Sequence, residues 1–354
     1  MTAKRHDVLD GLRGVCALAV MTLHFCESYR YDDIVPHAHL AVEFFFILTG
    51  FTFVLAYDGR WRTGELTLGK FLWRRFVRLW PLVLIGSFVG LLFCFWMSGT
   101  FPGLRTCQVG DEIGRFLYSL TMLPQTTRNA FLTPMQPQTW TLLYIIYANV
   151  IYALLLRHLK TPVLAVAAAL AAGYSGYVAW HYHSFALGWA FNEDHVTVAC
   201  ARMAFPVLAG MLVARRGWRL SFRGAGAVAV LVLCFFLYAP VFRQNGWAFG
   251  WYELAAVLVG IPLVLLTASG CEVGSARLSA VCRFLGRYSF PLYATHFAFR
   301  EPLAIWVREH PDAPFSRHAA VVFAVVVAAL ALGWVAMCAD DALGKALKRI
   351  KIGS

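Results

Sequence analysis

Long stretches without a charged residue are the feature that most constrains this chain. Uncharged apolar runs occupy residues 79–97, 161–180, 224–242, 254–271 and 319–339. A helix of about 20 residues crosses the ~30 Å hydrocarbon core of a bilayer, and only helices or closed barrels satisfy their backbone hydrogen bonds in lipid. Composition agrees, because 14% of the 354 residues are charged, against about 25% in soluble domains. The sequence therefore predicts an all-α integral membrane protein embedded in the lipid bilayer, and it disfavours nucleic-acid binding.

Further segments have the length of a span but carry polar or charged residues: 9–28, 38–57, 138–157, 197–214 and 284–304. Together with the uncharged runs they predict about ten transmembrane helices, and the segment 113–124 is interpreted as re-entrant or interfacial. We expect one membrane domain over residues 1–354, with no extra-membranous domain. An even number of spans puts both termini on one side, and a cytoplasmic assignment gives that side 22 of the 31 Lys and Arg residues. This excess follows the positive-inside rule, so we expect cytoplasmic termini and a multi-pass protein of the inner cell membrane.

Ionisable side chains within spans are costly and usually face a cavity or a partner, so each is a functional candidate. Arg13 and His24 are eleven residues apart, which on a helix places them within about 20° of one face and about 16 Å apart. We expect Arg13 to bind an anion at the inner boundary and His24 to be a catalytic imidazole toward the outer half. Glu43 is predicted to orient His24, because a carboxylate partner selects the tautomer and raises basicity. The structural alternative is a hydrogen-bonded histidine, a snorkelling arginine and a solvated carboxylate.

A basic cluster precedes the third predicted span. Arg75 and Arg78 are three residues apart and share a helix face, and paired guanidinium groups bind phosphate oxygens well. With Arg13 they predict a site for a phosphorylated donor such as coenzyme A; the alternative is anchoring to lipid headgroups. Arg202 and His296 lie within spans and are further candidates, with a structural hydrogen bond as the alternative role. No Cys-x-x-Cys pair and no metal-ligand spacing is present, so we expect no metal.

Several motifs, in chain order, resemble those of the acyltransferase 3 family of membrane acyltransferases. The first resembles the family signature of Arg, ten residues and His, and it includes Asp10, a further candidate. The third resembles the family's Arg-x-x-Arg motif. The motifs are LDGLRG at 9–14 followed by His24, AVEFFFILTGF at 41–51, RFVRLWP at 75–81, Arg202 with Phe205 and Gly210, and LGRYSF at 285–290 continuing to Tyr293 and His296.

The resemblance implies an acyltransferase that transfers groups other than aminoacyl groups. The donor would be cytoplasmic acyl-CoA, commonly acetyl-CoA, and the acceptor a hydroxyl of an extracytoplasmic or lipid-linked carbohydrate or of a small molecule. In that setting His24 acts as general base or as an acyl-carrying nucleophile.

The chain departs from the family at one position. The segment TWTL at 139–142 resembles a family stretch that is followed three residues later by Glu, and here that position is Ile145. An apolar side chain accepts no proton, so either another group replaces the missing carboxylate or the activity is altered. A multi-pass transporter or flippase and a catalytically altered scaffold of a polysaccharide assembly system therefore stay open as alternatives.

Overall fold

The computed structural model describes residues 6–29, 34–100, 109–127, 130–133, 135–239 and 246–349. Within these ranges the regular secondary structure is helical, and the chain also forms an isolated antiparallel bridge between Phe131 and Ala190. This confirms the all-α prediction. The helices are α1 Asp7–Ser28, α2 Ala41–Phe53, α3 Gly59–Arg62, α4 Leu68–Thr100, α5 Val109–Leu120, α6 Trp140–Leu154, α7 Thr161–Tyr182, α8 Glu193–Arg216, α9 Ala225–Tyr238, α10 Trp247–Ala255, α11 Ile261–Gly270, α12 Ala276–Thr295, α13 Arg300–Glu309 and α14 Phe315–Arg349. A π-helical turn, Val54–Asp58, joins α2 to α3, and another, Ala256–Gly260, joins α10 to α11.

The described residues contain seven helical segments long and apolar enough to cross a membrane: Asp7–Ser28, Ala38–Arg62, Leu68–Gly99, Thr161–Tyr182, Glu193–Arg216, Trp247–Gly270 and Phe315–Arg349. The protein is therefore a membrane protein, but the predicted count of about ten spans is not confirmed. The segments 138–157 and 224–242 hold helices of only 15 and 14 residues, about 22 Å long at 1.5 Å per residue. The segment 284–304 is interrupted, because α12 ends at Thr295 and the 3₁₀ turn His296–Phe299 precedes α13.

Two closely packed helix pairs support the site, and glycines allow their approach. Where α1 meets α12, a Cβ atom added at Gly14 would lie 2.6 Å from the Cβ of Leu285. Where α2 meets α8, a Cβ atom at Gly50 or at Gly210 would overlap a backbone carbonyl oxygen of the facing helix. Membrane helices associate through van der Waals packing, so small residues at such crossings set how closely two backbones approach.

Ion pairs place the two ends of the described chain at the same end of the bundle. Arg283 of α12 lies 3.3 Å from Asp7 at the start of α1. Arg287, one helical turn later, pairs with Asp341 near the end of α14. The start of α1 and the last turns of α14 are thus close together, and we call this the terminal end of the bundle.

Candidate active site

Two cavities lie along one face of α1, one toward each end of the bundle. The basic cavity, of about 490 Å³, is beside the start of α1 at the terminal end. The histidine cavity, of about 520 Å³, is near the end of α1. The residues of α1 that line them lie within about 80° of the direction of Arg13, as the eleven-residue spacing predicts. They are Leu9, Asp10 and Arg13 in the basic cavity and Val20, Leu23, His24 and Glu27 in the histidine cavity.

The basic cavity brings together the three arginines that the sequence assigns to a phosphorylated donor. Arg13 donates to Asp10 Oδ1 at 3.2 Å and to Ser289 Oγ at 3.4 Å. Arg75 Nε is buried and has no hydrogen-bond partner among the described residues, while the Arg78 side chain is 48% exposed. Guanidinium donors that lack protein acceptors can bind an anion, so the geometry is suited to phosphate oxygens.

Aromatic side chains separate the two cavities. Phe45 and Phe290 line the basic cavity and Tyr293 lines the histidine cavity. The ring centre of Phe45 lies 5.5 Å from that of Phe290 and 5.9 Å from that of Tyr293. The guanidinium carbons of Arg13 and Arg78 lie 4.8 and 5.8 Å from the Phe290 ring centre, within the range of cation–π contacts. A substrate that extends from one cavity into the other has to pass this aromatic layer.

His24 lines the histidine cavity beside a carboxylate that the sequence had not singled out. Its Nδ1 atom is 3.1 Å from Glu27 Oε2, and Arg300 Nε donates to the same oxygen at 3.1 Å. Glu27 follows His24 by three residues, a spacing at which helical side chains meet. The buried imidazole of His296 stacks on His24 with ring centres 5.4 Å apart, and its Nδ1 atom donates to the carbonyl of Leu292 at 3.0 Å. A histidine, a carboxylate and a cation are thereby aligned at the cavity wall.

Glu43 does not make the contact with His24 that the sequence predicts. Its fully buried carboxylate pairs with Arg202 of α8 through both oxygens. Arg202 also donates to the carbonyl oxygens of Leu187 at 2.9 Å and His39 at 2.8 Å, which occupies four of its five N–H donors. Glu43 meets Arg202 instead of His24 because α2 directs its first-turn carboxylate toward α8. Glu43 and Arg202 therefore form a buried pair that joins two helices.

The sequence interpretation missed two carboxylates, Glu27 and Glu253. Glu253 Oε1 lies 3.0 Å from His37 Nδ1 and 2.8 Å from His39 Nε2, and its other oxygen accepts from the N–H of Phe185 at 2.6 Å. His39 lines the histidine cavity, so this cluster supports its wall. The helical spacing from His24 was a signal for Glu27, whereas Glu253 meets its histidines from more than 200 residues away, and no local pattern marks that contact.

Ile145, the departure from the family pattern, lines the basic cavity. Its side chain is buried, and its carbonyl oxygen accepts a hydrogen bond from Asn149 Nδ2 at 2.6 Å. The cavity thus presents an apolar surface at the position where the family stretch carries Glu. The three arginines of this cavity consequently face one carboxylate fewer than the family pattern would supply.

Comparison with known proteins identifies the family to which the chain belongs. The acyltransferase 3 family, described as an acyltransferase domain, matches residues 6–338. "Protein 2 in picA locus" of Rhizobium radiobacter is 30% identical over 159 residues, which cover 42% of this chain and 82% of that protein. No solved structure matches the chain. Because the family match includes both cavities and nearly the whole sequence, this chain belongs to the acyltransferase 3 family and is a membrane acyltransferase.

Proposed function

We propose that the protein is an O-acyltransferase of the inner cell membrane. It moves an acyl group, with acetyl as the proposed group, from acyl-CoA to a hydroxyl of an extracytoplasmic or lipid-linked carbohydrate or of a small-molecule acceptor. The observation that carries the proposal is the pair of cavities on one face of α1, one basic and one containing His24. The terminal end, where the described chain begins and ends, faces the cytoplasm in this proposal, in keeping with the distribution of basic residues.

The donor binds with its phosphates in the basic cavity. Arg13, Arg75 and Arg78 line this space, and each guanidinium can bind two phosphate oxygens in a plane. The pantetheine arm then extends along α1 past the aromatic layer, over the rise of about 16 Å that separates Arg13 from His24. Acyl-CoA is a substrate here, and the proposal requires no metal.

The acceptor hydroxyl reacts in the histidine cavity. His24 removes the hydroxyl proton as the oxygen attacks the thioester carbonyl carbon; the C–S bond breaks, and the coenzyme A thiolate receives the proton from His24. Glu27 holds the imidazole and stabilises its protonated form, as the carboxylate does in hydrolase triads. Arg300 binds the same Glu27 oxygen and keeps the carboxylate in place.

The lining of the histidine cavity supports a carbohydrate acceptor. Trp140 and Trp189 contribute aromatic surface, and Gln138 and Ser184 contribute polar groups. Ligand sites of this kind combine apolar and aromatic walls with a few polar groups that determine orientation. The apolar faces of a sugar ring suit the tryptophans, and its hydroxyls suit the polar groups.

The chemistry is tested by His24→Ala in purified protein reconstituted into vesicles. We expect acyl transfer to fall by about 10²–10⁴-fold, the contribution of a general base, with the protein still inserted and folded. His181→Ala is the matched control, because His181 is exposed and lines neither cavity. Full activity of His24→Ala would contradict the proposal. A covalent acyl-His24 adduct trapped without acceptor would replace the base mechanism by the nucleophilic one.

The donor site is tested by Arg75→Ala, with acyl-CoA binding as the readout. Loss of hydrogen bonds to a charged group weakens binding by about ten- to a hundredfold. Arg74→Ala removes the same charge from the neighbouring exposed position outside the cavity, and we expect it to bind acyl-CoA normally. An unchanged dissociation constant for Arg75→Ala would remove this residue from the donor site.

A transporter or flippase is the second candidate, because cavities near opposite ends of a bundle also suit alternating access. Proteoliposomes with labelled acyl-CoA distinguish the two functions: an acyltransferase consumes the donor, and a transporter leaves it intact. Because Ile145 replaces the family's Glu, a non-catalytic scaffold is a further alternative. Such a scaffold would bind acyl-CoA without turnover.

A further inference from the structure

A third cavity, of about 680 Å³, lies at the terminal end of the bundle and takes no part in the proposed transfer. Its walls come from the ends of α3 and α8, residues 157–160 between α6 and α7, the start of α7 and the Val54–Asp58 turn. The neighbours Tyr57 and Asp58 of that turn face different spaces, since Tyr57 lines the basic cavity and Asp58 lines the third cavity. One helical turn thus separates two cavities at the same end of the protein, and we call the third the interfacial cavity.

The carboxylate in the lining of the interfacial cavity is already engaged. Asp58 Oδ2 accepts from Arg215 Nε at 2.9 Å, and Asp58 Oδ1 accepts from the Tyr152 hydroxyl at 2.6 Å. Arg215 also donates to the backbone carbonyls of Leu159 at 2.6 Å and Leu156 at 3.3 Å. Arg215 and Asp58 therefore neutralise each other and form a rigid part of the wall.

Three further cations line the cavity without a carboxylate partner among the described residues: Arg62, Arg157 and Lys160. Arg62 Nε makes one long hydrogen bond, of 3.4 Å, to the carbonyl of Asp58. The guanidinium carbon of Arg157 lies 3.7 Å from the ring centre of Trp61, and its Nε donates to His158 Nε2 at 3.0 Å. The two contacts hold the cation at the wall and leave its terminal N–H groups available. The cavity therefore carries uncompensated positive charge.

The depth of the cavity matches that of lipid headgroups. One membrane-spanning segment ends at Arg62, and another begins at Thr161, next to Lys160. Trp61 lies next to this segment end, and tryptophan is enriched at the boundary between the apolar and aqueous regions of a membrane. Basic pockets between transmembrane helices at this depth bind phosphorylated headgroups.

We propose that the interfacial cavity is a binding site for a phosphate-bearing anion, with Arg62, Arg157 and Lys160 as its ligands. An anionic phospholipid headgroup and a soluble phosphate ester share this chemistry. Arg157 is held by Trp61 and offers a planar pair of donors, whereas Lys160 supplies a mobile point charge. The site does not depend on the acyl-transfer proposal, because none of its residues lines the basic or the histidine cavity.

The test measures binding of defined probes to the purified full-length protein in uncharged detergent. The probes are dioctanoyl phosphatidylglycerol, glycerol 3-phosphate and, as the phosphate-free analogue, dioctanoylglycerol. The double variant Arg62→Gln/Lys160→Gln removes two cavity cations. Arg216→Gln/Arg219→Gln is the matched control, since it removes two exposed charges, one at the end of α8 and one just beyond it, that do not line the cavity.

We expect phosphatidylglycerol to bind wild type and the control equally, and the cavity variant to bind about 25-fold more weakly, at about fivefold per cation. If glycerol 3-phosphate also binds wild type and loses the same affinity in the cavity variant, a soluble phosphate ester is a sufficient ligand. If only the phospholipid binds, the ligand is a lipid. Dioctanoylglycerol should be insensitive to the variant. The proposal is overturned if neither anion binds wild type, if both variants bind alike, or if the cavity variant loses acyl-CoA affinity to the same extent.

Discussion

Breaking the Glu43–Arg202 pair tests whether Glu43 stabilises the fold or takes part in the chemistry. Arg202→Met keeps most of the side-chain volume but leaves the fully buried Glu43 carboxylate without its cation. It also removes the donors from the carbonyl oxygens of Leu187 and His39. The Glu43 carboxylate is fully buried, whereas Arg202 and His39 also line the histidine cavity.

The expected magnitude follows from that burial. Removing one partner of a buried ion pair lowers the free energy of unfolding by about 3–5 kcal/mol. The two freed carbonyl groups are only partly buried, so each adds less than the about 1–3 kcal/mol that a fully buried unsatisfied acceptor costs. The double variant Glu43→Gln/Arg202→Met removes both charges, so its loss should be smaller than the sum of the single losses by about 0.5–3 kcal/mol.

The assay is reversible unfolding in one detergent, with acyl transfer by the folded fraction as a second readout. Arg308→Met is the control, since this exposed arginine of α13 is distant from both helices of the pair, and its effect should stay within about 0.5 kcal/mol. If Glu43→Gln unfolds like wild type but abolishes transfer, Glu43 is a chemical participant and the structural role assigned to it is refuted.

Other changes test the packing and the two cavities. In the same unfolding assay, Gly210→Ala should lower the free energy of unfolding by about 1–3 kcal/mol, because the added methyl group meets the backbone of the facing helix. Gly176 has open space around it, so Gly176→Ala should leave the free energy of unfolding unchanged. Glu27→Gln should lower kcat by up to about 10⁴-fold, as loss of the carboxylate beside a catalytic imidazole can do, with acyl-CoA affinity unchanged; an unaltered kcat would contradict the orienting role. Ile145→Glu should weaken acyl-CoA binding because it adds a negative charge to the basic cavity, and a gain in turnover would instead show that the missing carboxylate limits this chain.

Features that reside within one helix could be read from the sequence. The uncharged runs predict membrane-spanning helices because hydrocarbon leaves few alternatives for the backbone. The spacing of Arg13 and His24 predicts a shared face because helical rotation per residue is constant. The three-residue spacing of Arg75 and Arg78 likewise predicts that they act together, and the structure places both in one cavity with Arg13.

Features that depend on how helices pack against each other could not be read in this way. The hydropathy of segments 138–157 and 224–242 predicts two full spans, whereas α6 and α9 have only 15 and 14 residues. The length of a helix and its burial in the bundle depend on the elements packed around it. Proximity in sequence suggested Glu43 as the partner of His24, whereas packing of α2 on α8 directs that carboxylate to Arg202. The cations of the interfacial cavity likewise come from separate helix ends. The helical period sets the direction in which a side chain points from the axis of its own helix. The partner that the side chain meets depends on close contacts between helices that are distant in sequence.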